Sequence, residues 1–156
     1  KAAIRWMRAE GPRYGISPGA IGAIGGSAGG HLVALLGSSY KTGALEGNGG
    51  HAEVSSRVQA VVAMAPVVDF VSMAKARQSG GGGVVRTMFG EQAALAILFS
   101  PVTHLDNDAA PILLIHSDAD QTVPYEQSKE MLERCKKVGV PVELVTIEGA
   151  PHAFWN

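Results

Sequence analysis

The chain has 156 residues, about one domain's worth, with 46% hydrophobic and 17% charged residues, a globular composition that excludes intrinsic disorder. Thirteen basic and fourteen acidic side chains leave a net charge of −1, which argues against nucleic-acid binding or a polybasic membrane contact. One cysteine, Cys135, excludes an internal disulfide and any CxxC zinc or redox site, and no apolar run approaches the roughly 18 residues that span a bilayer.

The chain opens in helical period without an initiator Met and stops at Phe154-Trp155-Asn156 with no closing helix, so the expectation is an internal piece of a longer protein. Ile4, Trp6 and Met7, with Tyr14 beyond them, predict an amphipathic helix over residues 1–10, ended by Gly11-Pro12. Ala20 to Ile24 reads as a short buried strand, Gly25 to Gly30 as a tight turn, and Leu32 to Leu36 as the start of a second helix. Residues 37–57 are polar and glycine-rich and predict a surface loop. Val58 to Ala65 is a second strand, stopped by Pro66. Residues 70–105 are less regular, with a flexible run Gly80-Gly81-Gly82-Gly83 and a helical stretch from Glu91 to Phe99; a small lid or insertion is expected there. Ile112 to Ile115 is the third strand, Tyr125 to Lys137 a charged amphipathic helix closed by Gly139, and Pro141 to Ile147 the fourth strand. Apolar runs alternating with helices are the signature of an α/β fold with a parallel sheet covered on both faces. In such sheets ligand chemistry gathers at loops beyond the carboxyl ends of the strands.

Three of those loops carry chemistry. The first reads Gly25-Gly26-Ser27-Ala28-Gly29-Gly30, a G-x-S-x-G between a strand and a helix. A nucleophile on a sharp strand-to-helix turn needs small neighbours, here Gly25 and Gly29, because the backbone folds back on itself there. Ser27 would then stand at the positive end of the following helix, with the Ala28 N–H placed to help bind an oxyanion. A dinucleotide fingerprint fails because Ser27 or Ala28 stands where its second glycine is required, and a P-loop fails because His31 stands where it needs lysine. The second loop, His116 to Pro124, offers Asp118 and Asp120 as rival base-orienting carboxylates. The third, Glu148 to Phe154, offers His152. Nucleophile, acid and base thus follow in the chain order Ser, Asp, His.

Through these motifs the chain resembles the core of α/β-hydrolase esterases. It is most similar to the esterase/lipase group of the hormone-sensitive-lipase and carbohydrate-esterase type. The likeness rests on Lys1-Ala2-Ala3-Ile4-Arg5-Trp6 running into Gly25 to Leu32, on Ser100-Pro101-Val102-Thr103-His104, on Pro111 to His116, and on Asp120-Gln121-Thr122-Val123-Pro124. It implies a partial α/β-hydrolase fold, with residues 1–156 forming the C-terminal part of one domain. It also implies a serine ester hydrolase acting through an acyl-enzyme on a small acyl ester, including acetyl or feruloyl groups on carbohydrate, with no cofactor. The family pattern H-G-x-x-D-x-x-V-P maps the acid onto Asp120; Ser117 stands where the family usually has glycine. The resemblance further implies oxyanion donors from an upstream H-G-G-type loop and a sheet of about eight strands. The strand at residues 20–24 is therefore expected to be completed by a missing N-terminal half or another chain, and the isolated segment to have little activity. A prolyl-oligopeptidase-type peptidase shares the elbow and the residue order; a non-catalytic binding module with this fold is a third reading.

The remaining histidines read differently. His31, at the start of the second helix, suits a structural hydrogen bond. His51, His104 and His116 lack HxH or HExxH spacing, and no metal site is expected. Phe154, Trp155, Met64, Met73 and Met88 read as packing rather than as pocket walls.

Overall fold

A computed structural model describes residues 1–76 and 82–155. Helix α1 (Ala2–Glu10) leads through a 3-10 turn at Gly11–Tyr14 to strand β1 (Gly22–Gly26), and helix α2 (Ala28–Ser38) follows at once. Strand β2 (Ala60–Met64), strand β3 (Ile112–Ser117), helix α6 (Glu126–Val138) and strand β4 (Val142–Ile147) complete the α/β alternation. The four strands form one parallel sheet in the order β1-β2-β3-β4. Strand β1 begins and ends two residues later than its apolar run predicts, because Gly25 and Gly26 keep pairing with Ala63 and Met64.

Strand register decides what is buried. Val61, Ile112 and Val142 stand side by side, as do Ala63, Leu114 and Leu144, and all six belong to the main core or pack against it. Ile4 of α1, Ala34 of α2, and Met131 and Cys135 of α6 bury themselves in that same cluster. On the alternate face, Ile24 and Val145 are exposed, and Val62 and Leu113 only half-buried. Helix α2 sits close to the sheet through small residues seven apart, one face of a helix. A Cβ on Gly30 would lie 2.5 Å from the Met64 carbonyl oxygen, and one on Gly37 2.6 Å from Val61.

Residues 70–105 hold more helix than the sequence pattern suggests. Helices α3 (Phe70–Ala76), α4 (Gly82–Phe89) and α5 (Ala93–Leu98) pack on one another. Their side chains share a second cluster built on Val67, Phe70, Met73, Phe89, Ala96 and Val123. Within the four-glycine run read as a hinge, Gly82 and Gly83 open α4, and Gly80 and Gly81 lie outside the described residues. The signal for α3 and α4 is weak because each is a short helix stabilised by aromatic packing, Phe70 on Phe89 and Phe89 on Phe99, rather than by its own periodicity.

The glycine-rich stretch 43–57 is held down by one buried cation. Arg5, 3% exposed, donates to the carbonyls of Gly50 and Glu46 and to the Glu46 carboxylate at 2.6 Å. Glu46 also receives Lys1 and Ser56, so a loop with little apolar content gains a fixed path through charge-assisted bonds. Arg5→Ala, which removes one of the three donors to the Glu46 carboxylate and leaves the Glu46 and Gly50 carbonyls without their side-chain donor, is expected to lower stability by about 2–4 kcal/mol, read as a shift in urea midpoint. An unchanged midpoint would show that the loop is held by something else.

Candidate active site

The backbone turns sharply between β1 and α2. Ser27 takes φ 53° and ψ −117°, a conformation costing a non-glycine residue about 1–3 kcal/mol. It is held by its own N–H donating to the Met64 carbonyl at 2.8 Å and its carbonyl accepting from the His31 N–H at 2.9 Å. A Cβ on Gly25 would sit 2.5 Å from the carbonyl of Gly29, while one on Gly29 meets nothing within 4 Å. The crowding across the turn therefore falls on Gly25 and on Gly30 against β2, and Gly29 is needed only as the backbone that Gly25 approaches. Ala28 opens α2, where backbone N–H groups have no partner inside the helix.

Two further loops meet this turn. His152 Nε2 lies 2.8 Å from Ser27 Oγ, and His152 Nδ1 lies 2.6 Å from Asp120 Oδ2. The nitrogen facing the carboxylate carries the proton, so Nε2 is left as acceptor for the Ser27 hydroxyl. Asp120 is buried, and its Oδ1 accepts the N–H groups of Thr122 at 2.7 Å and Val123 at 2.9 Å. Burial pushes the Asp120 pKa up, but the hydrogen bonds from His152, Val123 and Thr122 outweigh it and hold the carboxyl below its ordinary value. Asp118, the rival carboxylate, is turned elsewhere: its Oδ1 accepts the Gly149 N–H at 2.8 Å. Beside it, Ser117 Oγ donates to the Ala150 carbonyl at 2.6 Å, so both residues tether the loop that carries His152. Trp155 meets the His152 ring edge-on at 5.6 Å and covers Gly26, where a Cβ would lie 2.8 Å from the indole.

A serine hydroxyl, an imidazole and a buried carboxylate in one hydrogen-bonded line can generate an alkoxide-like nucleophile. Proteins similar to this chain are ester hydrolases by name. The BD-FAE family model matches residues 1–135. The chain belongs to the BD-FAE family. Over 99% of its length it is 31% identical to the probable carboxylic ester hydrolase LipM of Mycobacterium tuberculosis and 29% identical to the esterase LipQ of the same organism. It spans 37% of each of those two relatives. Among solved structures, a truncated carbohydrate esterase from gut microbiota superposes with a TM-score of 0.84 at 30% identity, covering 96% of this chain and 58% of that one. Esterase 2 of Thermogutta terrifontis, in a form phosphoramylated by tabun, gives 0.77 at 34% identity over 99% of this chain and 53% of that one. The fold is thus an α/β fold of the esterase type.

Other polar residues of this BD-FAE chain have structural partners. His31 Nδ1 lies 3.0 Å from the Val67 carbonyl, and its ring packs edge-on against Phe70 at 5.0 Å. Burial lowers its pKa, with the Val67 carbonyl acting in the opposite direction. His104 bonds Leu98 O and Thr42, and His51 faces Glu53 at 3.7 Å. Among the described residues, no three His, Cys, Asp or Glu side chains cluster to hold a metal. Cys135 is fully buried and its thiol is pushed up to about 11 by desolvation. Two further residues support the site: His116, which residue order marks only as a histidine without metal spacing, and Ser117, which it marks only as a departure from the family glycine. Period-2 alternation puts His116 on the face of Ile112 and Leu114, and a histidine in that row must find hydrogen-bond partners inside the core.

Gly30→Ala forces a methyl into the Met64 carbonyl and is expected to cost roughly 2–3 kcal/mol, whereas Gly29→Ala is neutral or stabilising by up to about 1 kcal/mol. Thermal melts of the two variants check this, and equal losses would refute the assignment of the crowded position. A second expectation concerns acid. His31 and His116 are both depressed by burial, so below the unfolded histidine pKa of about 6.5 the unfolded chain binds more protons than the folded one. Their contribution to stability is therefore complete above that pH and is lost as pH falls through their folded values. Urea midpoints are expected to drop from pH 7 to pH 5, with a shallower drop in His31→Phe; parallel curves for the two proteins would contradict it.

Proposed function

We propose that this BD-FAE family chain carries the reacting centre of a serine carboxylic ester hydrolase. The reading is carried by the line of hydrogen bonds from Ser27 Oγ to His152 Nε2 and from His152 Nδ1 to Asp120 Oδ2. Ser27 Oγ attacks the acyl carbonyl while His152 Nε2 takes its proton, and Asp120 steadies the imidazolium that results. The Ala28 N–H donates to the carbonyl oxygen as it gains charge, at the positive end of α2. His152 returns the proton to the departing alkoxide, the alcohol leaves, and an acyl-Ser27 ester remains. Water that gives its proton to His152 Nε2 then attacks this ester, the acyl carbon–Oγ bond breaks, His152 returns the proton to Ser27 Oγ and the acid is released.

The substrate class we propose is a small acyl group, such as acetyl, on a carbohydrate alcohol. Support comes from the names of similar structures, the gut carbohydrate esterase and an acetyl ester-xyloside bifunctional hydrolase of Caldicellulosiruptor lactoaceticus, 29% identical over 97% of this chain. We further propose that residues 1–156 form part of a larger hydrolase domain, with α3 to α5 as an insertion. Within the described sheet β1 pairs on one side only; further strands along that edge would pair its free N–H and C=O groups, and a further layer over the open face would cover Ile24, which is 68% exposed.

A fluorophosphonate probe applied to the intact protein is expected to label Ser27, identified by peptide mass spectrometry. Ser27→Ala should abolish labelling and lower p-nitrophenyl acetate turnover by at least about 10³-fold. Label on another residue, or full turnover by the variant, would overturn the reading.

A further inference from the structure

His116 lies near the carboxyl end of β3 with no exposed surface. Its Nε2 faces two oxygens that carry no hydrogen, Asp120 Oδ2 at 3.2 Å and the Val123 carbonyl at 3.1 Å. That nitrogen must therefore hold the proton and donate. The other nitrogen, Nδ1, lies 2.7 Å from Ser128 Oγ, a buried hydroxyl on the first turn of α6 that donates to it. Protonating the ring would require placing a charge in a buried site and reversing the Ser128 hydroxyl. The titratable and charged groups around it, among the described residues, are Asp120 and His152 from the two loops, and Tyr125 and Glu126 at the head of α6. Tyr125 presents its ring edge at 5.6 Å and directs its hydroxyl to Thr146 instead.

One carboxylate oxygen thus receives two imidazoles. Oδ2 of Asp120 accepts Nδ1–H of His152 at 2.6 Å and Nε2–H of His116 at 3.2 Å, while Oδ1 is filled by two backbone N–H groups. We propose that His116 is a positioning residue for the Ser27–His152–Asp120 line: its Nε2–H fixes the rotation of the Asp120 carboxylate and draws electron density from the oxygen that polarises His152. This rests on the catalytic reading of that line given above. A carboxylate relieved of the His116 donor is a stronger partner for the imidazolium, so His152 holds its proton to higher pH and is less often free to accept from Ser27. Volume-filling alone has no such consequence, because an apolar side chain of similar size would replace it without touching the charge.

The test compares wild type with His116→Met, which keeps volume and loses the donor, and His116→Gln, which keeps an N–H at the position of Nε2. The rate of Ser27 labelling by fluorophosphonate is followed against pH in the intact protein. In His116→Met the acidic inflection is expected to rise by about half to one pH unit, and His116→Gln should return it toward wild type. A folded His116→Met protein with the wild-type inflection would overturn the inference. Should His116→Met fail to fold, nitrogen-edited NMR of the wild type decides: a neutral His116 with the proton on Nε2, not titrating between about pH 5.5 and 8, supports it, and a ring protonated on Nδ1 or titrating in that range sinks it. Failure of Ser27 to label in wild type counts against the catalytic reading instead, and the titration of His152 by NMR in the same proteins still reads the coupling.

Discussion

The site is organised around one buried carboxylate. Asp120 has its two oxygens filled by four N–H donors, two from its own loop, one from His116 and one from His152. An ionised carboxylate inside a protein is tolerable only when its lone pairs are satisfied. Removing any donor leaves the charge less compensated. The loop from Ser117 to Val123, the head of α6 and the His152 loop are therefore tied together by the need to satisfy a single group.

That constraint acts alongside a second, steric one. The turn at Ser27 exists because β1 runs alongside β2 as far as Gly26 and α2 then folds back across the end of β2. The Ser27 N–H and the approach of Gly30 both converge on the Met64 carbonyl. Ala65, the next residue, is itself at φ 43° and fully buried, its N–H bonded to the Ile115 carbonyl. Two non-glycine residues with positive φ thus stand at neighbouring strand ends. Such strain persists only where surrounding structure over-determines it, and here the parallel sheet supplies that determination through strand pairing on either side of β2.

The chain's energetics divide along the sheet. One face is a continuous apolar core capped by α1, α2 and α6, and it carries the rigidity that holds the three loops at one edge. The other face leaves Ile24 and Val145 open to solvent. Away from the sheet, the stretch 43–57 has too little apolar surface to bury and relies on Arg5 and Glu46, so its order depends on charge pairing rather than on packing.

Much of this was legible in residue order, and the reasons are local. Runs such as Val58 to Ala65 declare strands because the side-chain period is a property of the backbone, and G-x-S-x-G declares a tight turn because small residues are demanded within a few positions. Those same local rules determined the alternating α/β order and the set of candidate groups, Ser27, Asp118, Asp120 and His152. They could not decide between two aspartates two residues apart, nor say that Gly30 rather than Gly29 is the crowded glycine, nor give His116 a partner. The choice of aspartate depends on where segments 32 and 125 residues apart along the chain come to rest, the crowding of Gly30 on how α2 lies against the end of β2, and the partners of His116 on how its loop folds onto the head of α6. Only the folded sheet brings such distant groups within hydrogen-bond reach, and hydrogen bonding is decided over tenths of an ångström.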